Sequence, residues 1–342
     1  MKILFIGSSQ GTSKFNYQAI KKIYKNTTML DTQKLKISKI QDYIFHHFTS
    51  KILNYKINNF FEKKINKKYD IIFINNVSYL TEKSIYKFKQ YTKKIFYFCN
   101  DNPFVKRDKL RWENFKKIFL QLDIIIFHIK KREIYAKKNK IRNYLLTIPP
   151  YYKQIHLNNV HIKKKRNIVF IGTWFPERGK FFYNLKKLGM DFDIYGSRWE
   201  KDRKYYKYLK KNIKNSLKYE DTPKIISKYK INLGLLSSGN DDDITRRCVE
   251  IPASGSLLCC QRTNTLKKIF KENKEALFFS TPEECFLKCK NILQNPKLLK
   301  KITFNGNIKI RKTLNAEAQN IFKKIFNPKF RLKNNKKFVF KY

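Results

Sequence analysis

One segment of the chain concentrates charged residues in an order that suits phosphate chemistry. Residues 237–255 read SSGNDDDITRRCVEIPASG. Thr245 is a plausible N-cap and Gly255 a plausible helix stop, so Arg246 and Arg247 are expected in the first turn of a helix. The helix macrodipole disfavours a cation there by about 0.3 to 1 kcal/mol, and a bound anion reverses that effect. The segment therefore predicts a phosphate site made of backbone N–H groups and guanidinium groups.

Two alternatives stay open for this segment. Because Pro252 is comfortable only in a first helical turn, the helix could begin as late as Glu250. The three aspartates Asp241, Asp242 and Asp243 could also neutralise the arginines and cap the helix with no ligand bound. With a ligand, Glu250 would accept hydrogen bonds from sugar hydroxyls, either of the nucleotide's ribose or of the transferred sugar. Asp242 precedes Glu250 by eight positions.

A second basic window follows an apolar run near the middle of the chain. Gly172 and Thr173 come directly after Ile168 to Ile171, and Arg178 and Lys180 follow shortly afterwards. A glycine turn before a basic helix start predicts a contact between these cations and a diphosphate. The alternative is a helix begun by Pro176 with surface charges.

Eight apolar runs, each followed by a basic segment with helical patterning, must position these windows. Continuous four-residue runs are typical of parallel strands buried on both faces, and their alternation with helices predicts a doubly wound α/β fold. The runs are Ile3 to Ile6, Ile71 to Ile74, Ile95 to Phe98, Ile124 to Phe127, Ile168 to Ile171, Phe192 to Tyr195, Leu233 to Leu236 and Leu257 to Cys260.

The alternation restarts after a Pro-Pro-Tyr-Tyr linker at 149–152, which predicts two Rossmann-like domains facing an interdomain cleft. We expect a first domain over residues 1–155 and a second over 156–316. Residues 317–342 are expected to form an amphipathic helix followed by a basic tail.

The composition favours a soluble, basic protein without favouring a nucleic-acid binder. The 342 residues carry 76 Lys and Arg against 26 Asp and Glu, a net charge of +50. Only 13 of the 76 are Arg, and Lys, Asn, Ile, Phe and Tyr share A/T-rich codons, so genome bias accounts for much of this charge. A surface selected for nucleic acid would be expected to be rich in Arg. We therefore expect no specific nucleic-acid partner, and a general attraction to anionic membranes or substrates.

The cysteines and the apolar stretches bear on the compartment. The six Cys show no metal-binding spacing and suggest reduced core thiols. The apolar stretch at the start is too short for a signal peptide, and no stretch approaches a membrane span. We expect a cytoplasmic protein, at most peripheral at the inner face of the membrane.

The second half resembles the CgeB/YkvP-like branch of group 1 glycosyltransferases. The matching motifs follow the family's order over residues 166–312: Phe170-Ile171-Gly172-Thr173 with Pro176-Glu177-Arg178, then Ile194-Tyr195-Gly196 with Trp199, then Thr245-Arg246-Arg247 with Glu250-Ile251-Pro252-Ala253-Ser254-Gly255. The first half shares looser features, among them Asn100-Asp101-Asn102-Pro103 after a strand.

This resemblance implies a GT-B fold in which the second domain holds a nucleotide-diphospho-sugar and an acceptor approaches from the first. Arg178 occupies the position of a basic residue that contacts the diphosphate, and Glu250 that of the glutamate that binds the ribose. Thr173 stands where the family usually has Arg, so Arg246 or Arg247 is expected to supply phosphate charge. Asp242 replaces a glutamate near the donor sugar.

The resulting hypothesis is transfer of a sugar from a nucleotide-diphospho-sugar, with no other cofactor and no obligatory metal. Of two Asp-x-Asp triplets, the one at 191–193 lies in a predicted strand and is expected to be structural, and the one at 241–243 is expected to cap a helix locally. Asp101 or His128, each after a strand, is a candidate general base, and for His128 a surface position is the favoured alternative. A phosphate-bearing or membrane-linked glycan, or a protein, is the expected acceptor. The other hypotheses are a basic nucleic-acid-binding protein, a nucleotide-sugar epimerase and a noncatalytic surface or spore-coat relative.

Overall fold

A computed structural model describes residues 1–128, 131–157, 164 and 166–327. Its strands form two six-stranded sheets whose paired neighbours all run parallel, which confirms the predicted α/β fold. The strands are β1 (Ile3–Gly7), β2 (Thr27–Asp31), β3 (Ile71–Asn75), β4 (Ile95–Cys99), β5 (Ile124–Phe127), β6 (Tyr144–Leu146), β7 (Arg166–Ile171), β8 (Asp193–Tyr195), β9 (Ile213–Lys214), β10 (Tyr229–Gly234), β11 (Leu257–Gln261) and β12 (Leu277–Phe279).

Helices connect successive strands. They are α1 (Gly11–Ile23), α2 (Lys39–His47), α3 (Asn54–Lys64), α4 (Glu82–Tyr91), α5 (Glu113–Ile118), α6 (Arg132–Lys138), α7 (Lys153–His156), α8 (Pro176–Lys187), α9 (Tyr206–Leu209), α10 (Thr222–Lys228), α11 (Arg247–Ala253), α12 (Asn264–Ile269), α13 (Pro282–Gln294), α14 (Pro296–Ile308) and α15 (Ala318–Phe326). None of these helices has both the length and the apolar character needed to cross a bilayer.

The strand order of each sheet reverses once. The first sheet runs β2-β1-β3-β4-β5-β6 and the second β12-β11-β10-β7-β8-β9. The order therefore switches direction between β1 and β3 in the first sheet, and between β7 and β10 in the second. Ligands of open α/β sheets bind outside the carboxyl ends of the strands at such a switch point.

The central strands form because their apolar runs are covered on both faces. All five residues of β1 are buried. Leu4 and Ile6 belong to a core cluster that includes Phe61 of α3, whereas the Phe5 ring stacks on Phe73 of β3 at 5.6 Å. Successive side chains of a strand point to opposite faces, so an unbroken apolar run fits a sheet with two covered faces.

The chain divides into two compact units, whose bounds differ from the predicted domains. Among the described residues, the first unit comprises those within 1–148, 238–242 and 319–327, and the second comprises those within 149–237 and 243–318. The first boundary thus precedes the Pro-Pro-Tyr-Tyr linker. The loop at 238–242 belongs to the first unit because its polar residues pair with residues of that unit, as Asn240 does with Asn102.

The C-terminal helix belongs to the first unit. The Phe322 ring of α15 lies 5.7 Å from the ring of Phe73 and 5.5 Å from that of Phe98, and Phe326 stacks on Phe96 at 5.8 Å. An apolar helix face therefore covers one face of the first sheet. The predicted basic tail from Lys329 lies outside the described residues.

Candidate functional site

The helix that carries the predicted phosphate-binding arginines begins later than expected. It starts at Arg247, and Pro252 lies inside it. The prediction of Thr245 as N-cap is wrong, because its hydroxyl lies 3.6 Å from Cys248 Sγ and caps no backbone N–H. The predicted stop is confirmed: Gly255 has a φ of +71°, and its N–H donates to the carbonyl of Pro252 at 3.0 Å.

Glu250 is the centre of a buried charge cluster on this helix. Its side chain is fully buried, and its Oε2 pairs with Nη1 of Arg247. Its Oε1 accepts a hydrogen bond from the Tyr219 hydroxyl and lies 4.0 Å from Nε of Arg246 and 3.9 Å from Nε2 of His156. Glu250 therefore holds two guanidinium groups in fixed positions. Contact with a ribose, its predicted role, would require one of these partners to move.

The surroundings of Glu250 keep it ionised and its histidine neighbour neutral. Burial alone raises the pKa of the Glu250 carboxyl, but the charges of Arg247 and Arg246 and the hydrogen bond from the Tyr219 hydroxyl bring it below its ordinary value. Burial lowers the pKa of His156, although Glu250 acts in the opposite direction. The cluster therefore carries one negative charge against two positive ones.

Arg178 lies at the switch point of the second sheet. Its Nη1 donates to the Thr173 carbonyl at 2.6 Å, directly after β7, and its Nη2 donates at 3.2 Å to the carbonyls of Leu235 and Leu236, directly after β10. The guanidinium also lies 4.7 Å from the centre of the Phe175 ring, within cation–π range. Arg178 is therefore buried and held by the ends of the two strands that flank the switch point.

Arg247 reaches the end of the same strand. Its Nε lies 3.3 Å from the carbonyl oxygen of Ile171, the last residue of β7. Arg178 and Arg247, predicted from two separate windows, are thus brought to the carboxyl end of one strand. Arg246 and Arg247 both approach the single carboxylate of Glu250, whereas Arg178 is held by backbone carbonyls. An excess of positive charge at a switch point suits a polyanionic ligand.

The turn after β7 is fixed by close backbone packing. A Cβ on Gly196 would lie 1.9 Å from the carbonyl oxygen of Gly172, so position 196 must be glycine while this turn keeps its shape. The buried Trp199 donates its indole N–H to the same carbonyl at 3.1 Å. The Thr173 hydroxyl lies 3.3 Å from that of Ser197. Gly172 and Thr173 are therefore positioned by the loop after β8.

The three aspartates of the loop do not neutralise the arginines of α11. Asp241 pairs with Lys131 and accepts from the Tyr135 hydroxyl, whereas Asp242 pairs with Arg132 at 3.0 Å. Asp243 accepts from the hydroxyl of Thr265 at 2.6 Å. Among the ion pairs of the described residues, none joins these aspartates to Arg246 or Arg247. The alternative of local neutralisation is therefore excluded for this part of the chain.

Polar residues also gather at the carboxyl ends of three strands of the first sheet. Asn76, after β3, donates to Oδ2 of Asp101 at 3.0 Å and accepts from the N–H of Asn100. The Asn100 Oδ1 lies 2.6 Å from Nε2 of His128, which follows β5. Asp101 keeps 27% of its side chain exposed and also pairs with Arg107 at 3.5 Å.

His128 is not at the surface. It is only 4% exposed, and its ring packs against Phe98 at 4.5 Å in a T-shaped arrangement. The expectation of a surface position is wrong because His128 follows a buried strand and faces the asparagines after β4. Of the two candidate bases, Asp101 is the more accessible.

Sequence reasoning missed part of the cluster around Glu250. His156 and Tyr152 come from the linker region, and Tyr219 from a short connection before α10. Tyr152 accepts from Nη1 of Arg246 at 3.2 Å. No spacing in the sequence links these residues to α11, because they meet it only through the tertiary fold.

Among the described residues, the side chains that could together bind a metal ion are three cysteines and include no aspartate of the two Asp-x-Asp triplets. The sulfur atoms of Cys259, Cys285 and Cys289 lie within 4.8 Å of one another, and all three residues are buried. Asp193, of the triplet at 191–193, is bound by Arg166 and by the Tyr229 hydroxyl, each at 2.5 Å. The carboxylates of Asp193, Asp241, Asp242 and Asp243 are thus engaged by cations or hydroxyls. That catalysis needs no metal stays a prediction.

Comparison with known proteins agrees with this geometry. Residues 178–322 match the model of a family described as glycosyl transferase-like. The structure is similar to Anabaena HepE in complex with UDP and glucose, with 10% identity over 95% of this chain and 98% of that chain and a TM-score of 0.64. It is similar to sucrose-phosphate synthase from Thermosynechococcus elongatus, with 11% identity, coverage of 91% and 94% and a TM-score of 0.63. It is also similar to T4 phage BGT in complex with its UDP-glucose substrate, with 16% identity over 96% of this chain and 100% of that chain and a TM-score of 0.59.

The chain has the GT-B fold. Solved UDP-N-acetylglucosamine 2-epimerases share this architecture. No curated protein matches the sequence. In this GT-B chain, the family match begins at Arg178 and includes Arg246, Arg247 and Glu250, so it covers most of the cluster at the switch point of the second sheet.

Proposed function

We propose that this protein transfers a sugar from a nucleotide-diphospho-sugar to an acceptor. The observation that carries the proposal is a set of three arginines, of which Arg178 lies at the switch point of the second sheet and Arg246 and Arg247 approach the buried Glu250. Two of these guanidinium groups reach the carboxyl end of β7. The family match over residues 178–322 and the UDP or UDP-glucose bound to similar structures support the same donor class.

The proposed chemistry uses this positive charge to stabilise the leaving group. Breaking the bond between the anomeric carbon and the diphosphate oxygen develops negative charge on the departing nucleotide. Cations that are already held in place stabilise this charge more strongly in the transition state than in the ground state. Arg247, with 24% of its side chain exposed, is the arginine that we expect to touch the diphosphate. Arg178 is held more deeply and adds charge at the switch point.

Glu250 is proposed to position the arginines. Removal of its carboxylate would leave Arg246 and Arg247 without the anion that both approach. The resemblance assigns Glu250 a ribose contact as well, which would need the Tyr219 or Arg247 contact to open. Gly172 and Thr173 are proposed to lie beside the diphosphate. Thr245 is proposed to contact the nucleotide-sugar, although it does not cap the helix.

Asp242 is proposed to act on the donor only indirectly. Its carboxylate is held by Arg132 and by the Asn240 amide in the first unit. Burial raises the pKa of Asp242 against the opposing effect of Arg132. A direct contact with the donor sugar would have to displace one of these groups.

The acceptor is proposed to be deprotonated by Asp101. This carboxylate follows β4, is partly exposed and is oriented by Asn76 and Arg107. His128 is buried behind Asn100 and is proposed to hold that asparagine in place. The charge of +50 favours an acceptor with phosphate groups or one attached to an anionic membrane. A protein acceptor is the other class that we consider.

The finer assignments are parts of the same proposal. They are membership of the CgeB-like branch, metal-independent transfer without another cofactor, and a cytoplasmic location at or near the inner face of the membrane. No specific nucleic-acid partner is proposed, because the site cations form a small cluster at one strand end.

Calorimetry and a product assay test the proposal. The full chain is titrated with UDP, GDP, dTDP and CDP and with the sugar conjugates of these nucleotides, in the presence and absence of a metal chelator. We expect one nucleotide to bind, with affinity unchanged by the chelator. The sugar conjugate of that nucleotide should then release nucleoside diphosphate. Its sugar should be transferred slowly to water and faster to an acceptor. No binding of any of these compounds would overturn the proposal.

Three outcomes would favour the other hypotheses. A nucleotide-sugar epimerase, supported by the shared fold of the solved epimerases, would release an altered sugar without any acceptor. A nucleic-acid-binding protein would instead bind oligonucleotides at physiological salt, with an affinity that falls steeply as salt rises. A noncatalytic relative would bind the nucleotide-sugar and never cleave it.

A further inference from the structure

The first unit exposes a cluster of apolar side chains that its core does not use. Ile40, Tyr43, Phe48, Ile52 and Tyr55 are exposed by 73%, 56%, 69%, 39% and 84%. No other stretch of this length in the described part of the chain has so many exposed large apolar residues. Single exposed apolar residues are ordinary, whereas a group of them marks an interaction surface. We call residues 39–56 the α2–α3 surface.

Helical geometry brings several of these side chains together. Ile40, Tyr43 and His47 recur at helical spacing on α2, and the Tyr43 ring stacks on His47 at 4.4 Å and lies 6.0 Å from the Phe48 ring. The opposite side of α2 supplies the buried Phe45 to the core. The helix α2 thus buries the Phe45 ring and presents the Tyr43 and His47 rings on its outer face.

Basic residues accompany the apolar ones. Lys39 and Lys51 are exposed within the α2–α3 surface, Lys36 is exposed just before it, and Asp42 is its only acidic residue. Lysines can keep their ammonium groups in water while aromatic rings enter the headgroup region of a bilayer, and each lysine near an anionic leaflet is attracted to it electrostatically. A surface with both kinds of residue fits an anionic lipid bilayer.

We propose that the α2–α3 surface docks the protein on membranes that contain anionic lipids. A second copy of the chain is a poorer occupant, because two chains of charge +50 repel each other. The inference deepens the proposed function by naming a membrane as the place where the acceptor is met. Its test needs no sugar transfer, so the docking surface and the transferase activity can fail separately.

Vesicle flotation with the full chain tests the docking surface. The vesicles contain phosphatidylcholine alone or phosphatidylcholine with phosphatidylglycerol. We expect flotation only with the anionic vesicles. The double variant Phe48→Ser/Tyr55→Ser should lower the partition coefficient about tenfold, since both side chains would otherwise enter the bilayer interface. High salt should weaken binding of the wild type without abolishing it.

A matched control uses exposed apolar residues of the second unit. Phe304 and Leu287 are 62% and 54% exposed, so Phe304→Ser/Leu287→Ser removes similar surface elsewhere and should leave flotation unchanged. Equal losses in the two double variants, or binding that high salt abolishes and the Phe48/Tyr55 change does not affect, would overturn the proposal. So would a dimer in solution that Phe48→Ser/Tyr55→Ser dissociates, since the surface would then bind a second copy.

Discussion

Arg247 and Glu250, three residues apart on α11, form an ion pair in which the glutamate side chain is fully buried and the arginine side chain is 24% exposed. The pair therefore has an inner anionic side and an outer cationic side. Because Arg247 Nε also approaches the carbonyl of Ile171, this cation is fixed at the end of β7 before any ligand arrives. Such preorganisation favours binding of an anion without further ordering of the side chain.

Replacement of Arg247 is expected to weaken nucleotide binding. Arg247→Gln removes the charge-assisted contact that we propose between this residue and the diphosphate, and such contacts contribute about 1.5 to 3 kcal/mol. The dissociation constant of the preferred nucleotide should rise about tenfold to a hundredfold in calorimetry. Arg262→Gln is the control, because Arg262 binds Glu272 and Glu284 and has no proposed ligand contact. Equal affinity of the Arg247 variant and wild type would remove Arg247 from the site.

The interior strands were predictable from the sequence, and the edge strands were not. The eight apolar runs correspond to β1, β3, β4, β5, β7, β8, β10 and β11, although β10 ends at Gly234, earlier than its run implied. The four missed strands, β2, β6, β9 and β12, are the outermost strands of the two sheets. An edge strand has one paired neighbour, and three of these four have only two or three residues, so their sequences carry a weaker pattern.

The candidate site was predictable only where local sequence determines position. Arg178 and Arg247 follow strands or begin helices, so their place at the carboxyl end of a sheet followed from chain order. His156 and Tyr219 reach Glu250 from connections that have no periodic pattern. The partner of Asp242, Arg132, lies 110 residues away in the chain, and no local rule links two such residues.

The close approach of Gly196 to the turn after β7 predicts a strong effect of one methyl group. Gly196→Ala would place a Cβ 1.9 Å from the Gly172 carbonyl oxygen, and backbone atoms cannot yield as a flexible side chain can. We expect a loss of a few kcal/mol in the free energy of unfolding, about as large as that of other severe packing defects, and weaker nucleotide binding.

Gly189→Ala provides the control for this change. Gly189 has a φ of +84°, and a Cβ added there would meet no other part of the protein within 4 Å, so alanine adds backbone strain of about 1 to 2 kcal/mol without a clash. Thermal unfolding and calorimetry should show reduced stability and normal nucleotide affinity for this variant. If Gly196→Ala behaves in the same way, the turn after β7 does not shape the nucleotide site.

The buried His156 predicts that stability falls on acidification. Burial holds its pKa below the ordinary value of 6.5, so below that pH the unfolded chain binds a proton that the folded chain does not. Stability then rises with pH wherever the unfolded state binds more protons. The Glu250 pKa, lowered chiefly by Arg247 against the effect of burial, acts in the same direction at lower pH.

Urea unfolding of the wild type and His156→Gln between about pH 7.5 and about pH 5.5 measures this effect. The wild type should lose more stability than the variant, with an upper limit of about 1.4 kcal/mol that corresponds to a histidine kept neutral in the folded state throughout this range. The groups facing the imidazole are Glu250, Arg246, Arg247 and Tyr152, and the variant retains them all. Parallel stability curves for the two proteins would show that His156 takes up its proton in the folded state.

The docking of α15 predicts that the C-terminal helix stabilises the first unit. Phe322→Ala removes a fully buried ring that contacts Phe73 and Phe98, and such changes destabilise by about 3 to 5 kcal/mol. Denaturant unfolding should show this loss, with nucleotide affinity retained while the protein is folded, because the arginine cluster belongs to the second unit. Phe304→Ala, at an exposed position, should change stability by less than about 0.5 kcal/mol. Similar small effects of both changes would mean that α15 adds little to the first unit.

The partly exposed carboxylate of Asp101 predicts a loss of turnover without a loss of donor binding. Asp101→Asn keeps the size of the side chain and removes the base, so the rate of sugar transfer should fall about 100-fold to 10,000-fold. Asp108→Asn is a matched control, because Asp108 shares Arg107 with Asp101 and also accepts from the indole of Trp112. Release of nucleoside diphosphate from the donor, with water or an acceptor, measures the rate, and calorimetry measures donor affinity. A comparable fall in rate for both variants would indicate that Arg107 and its ion pairs maintain the local structure and that Asp101 is not the base.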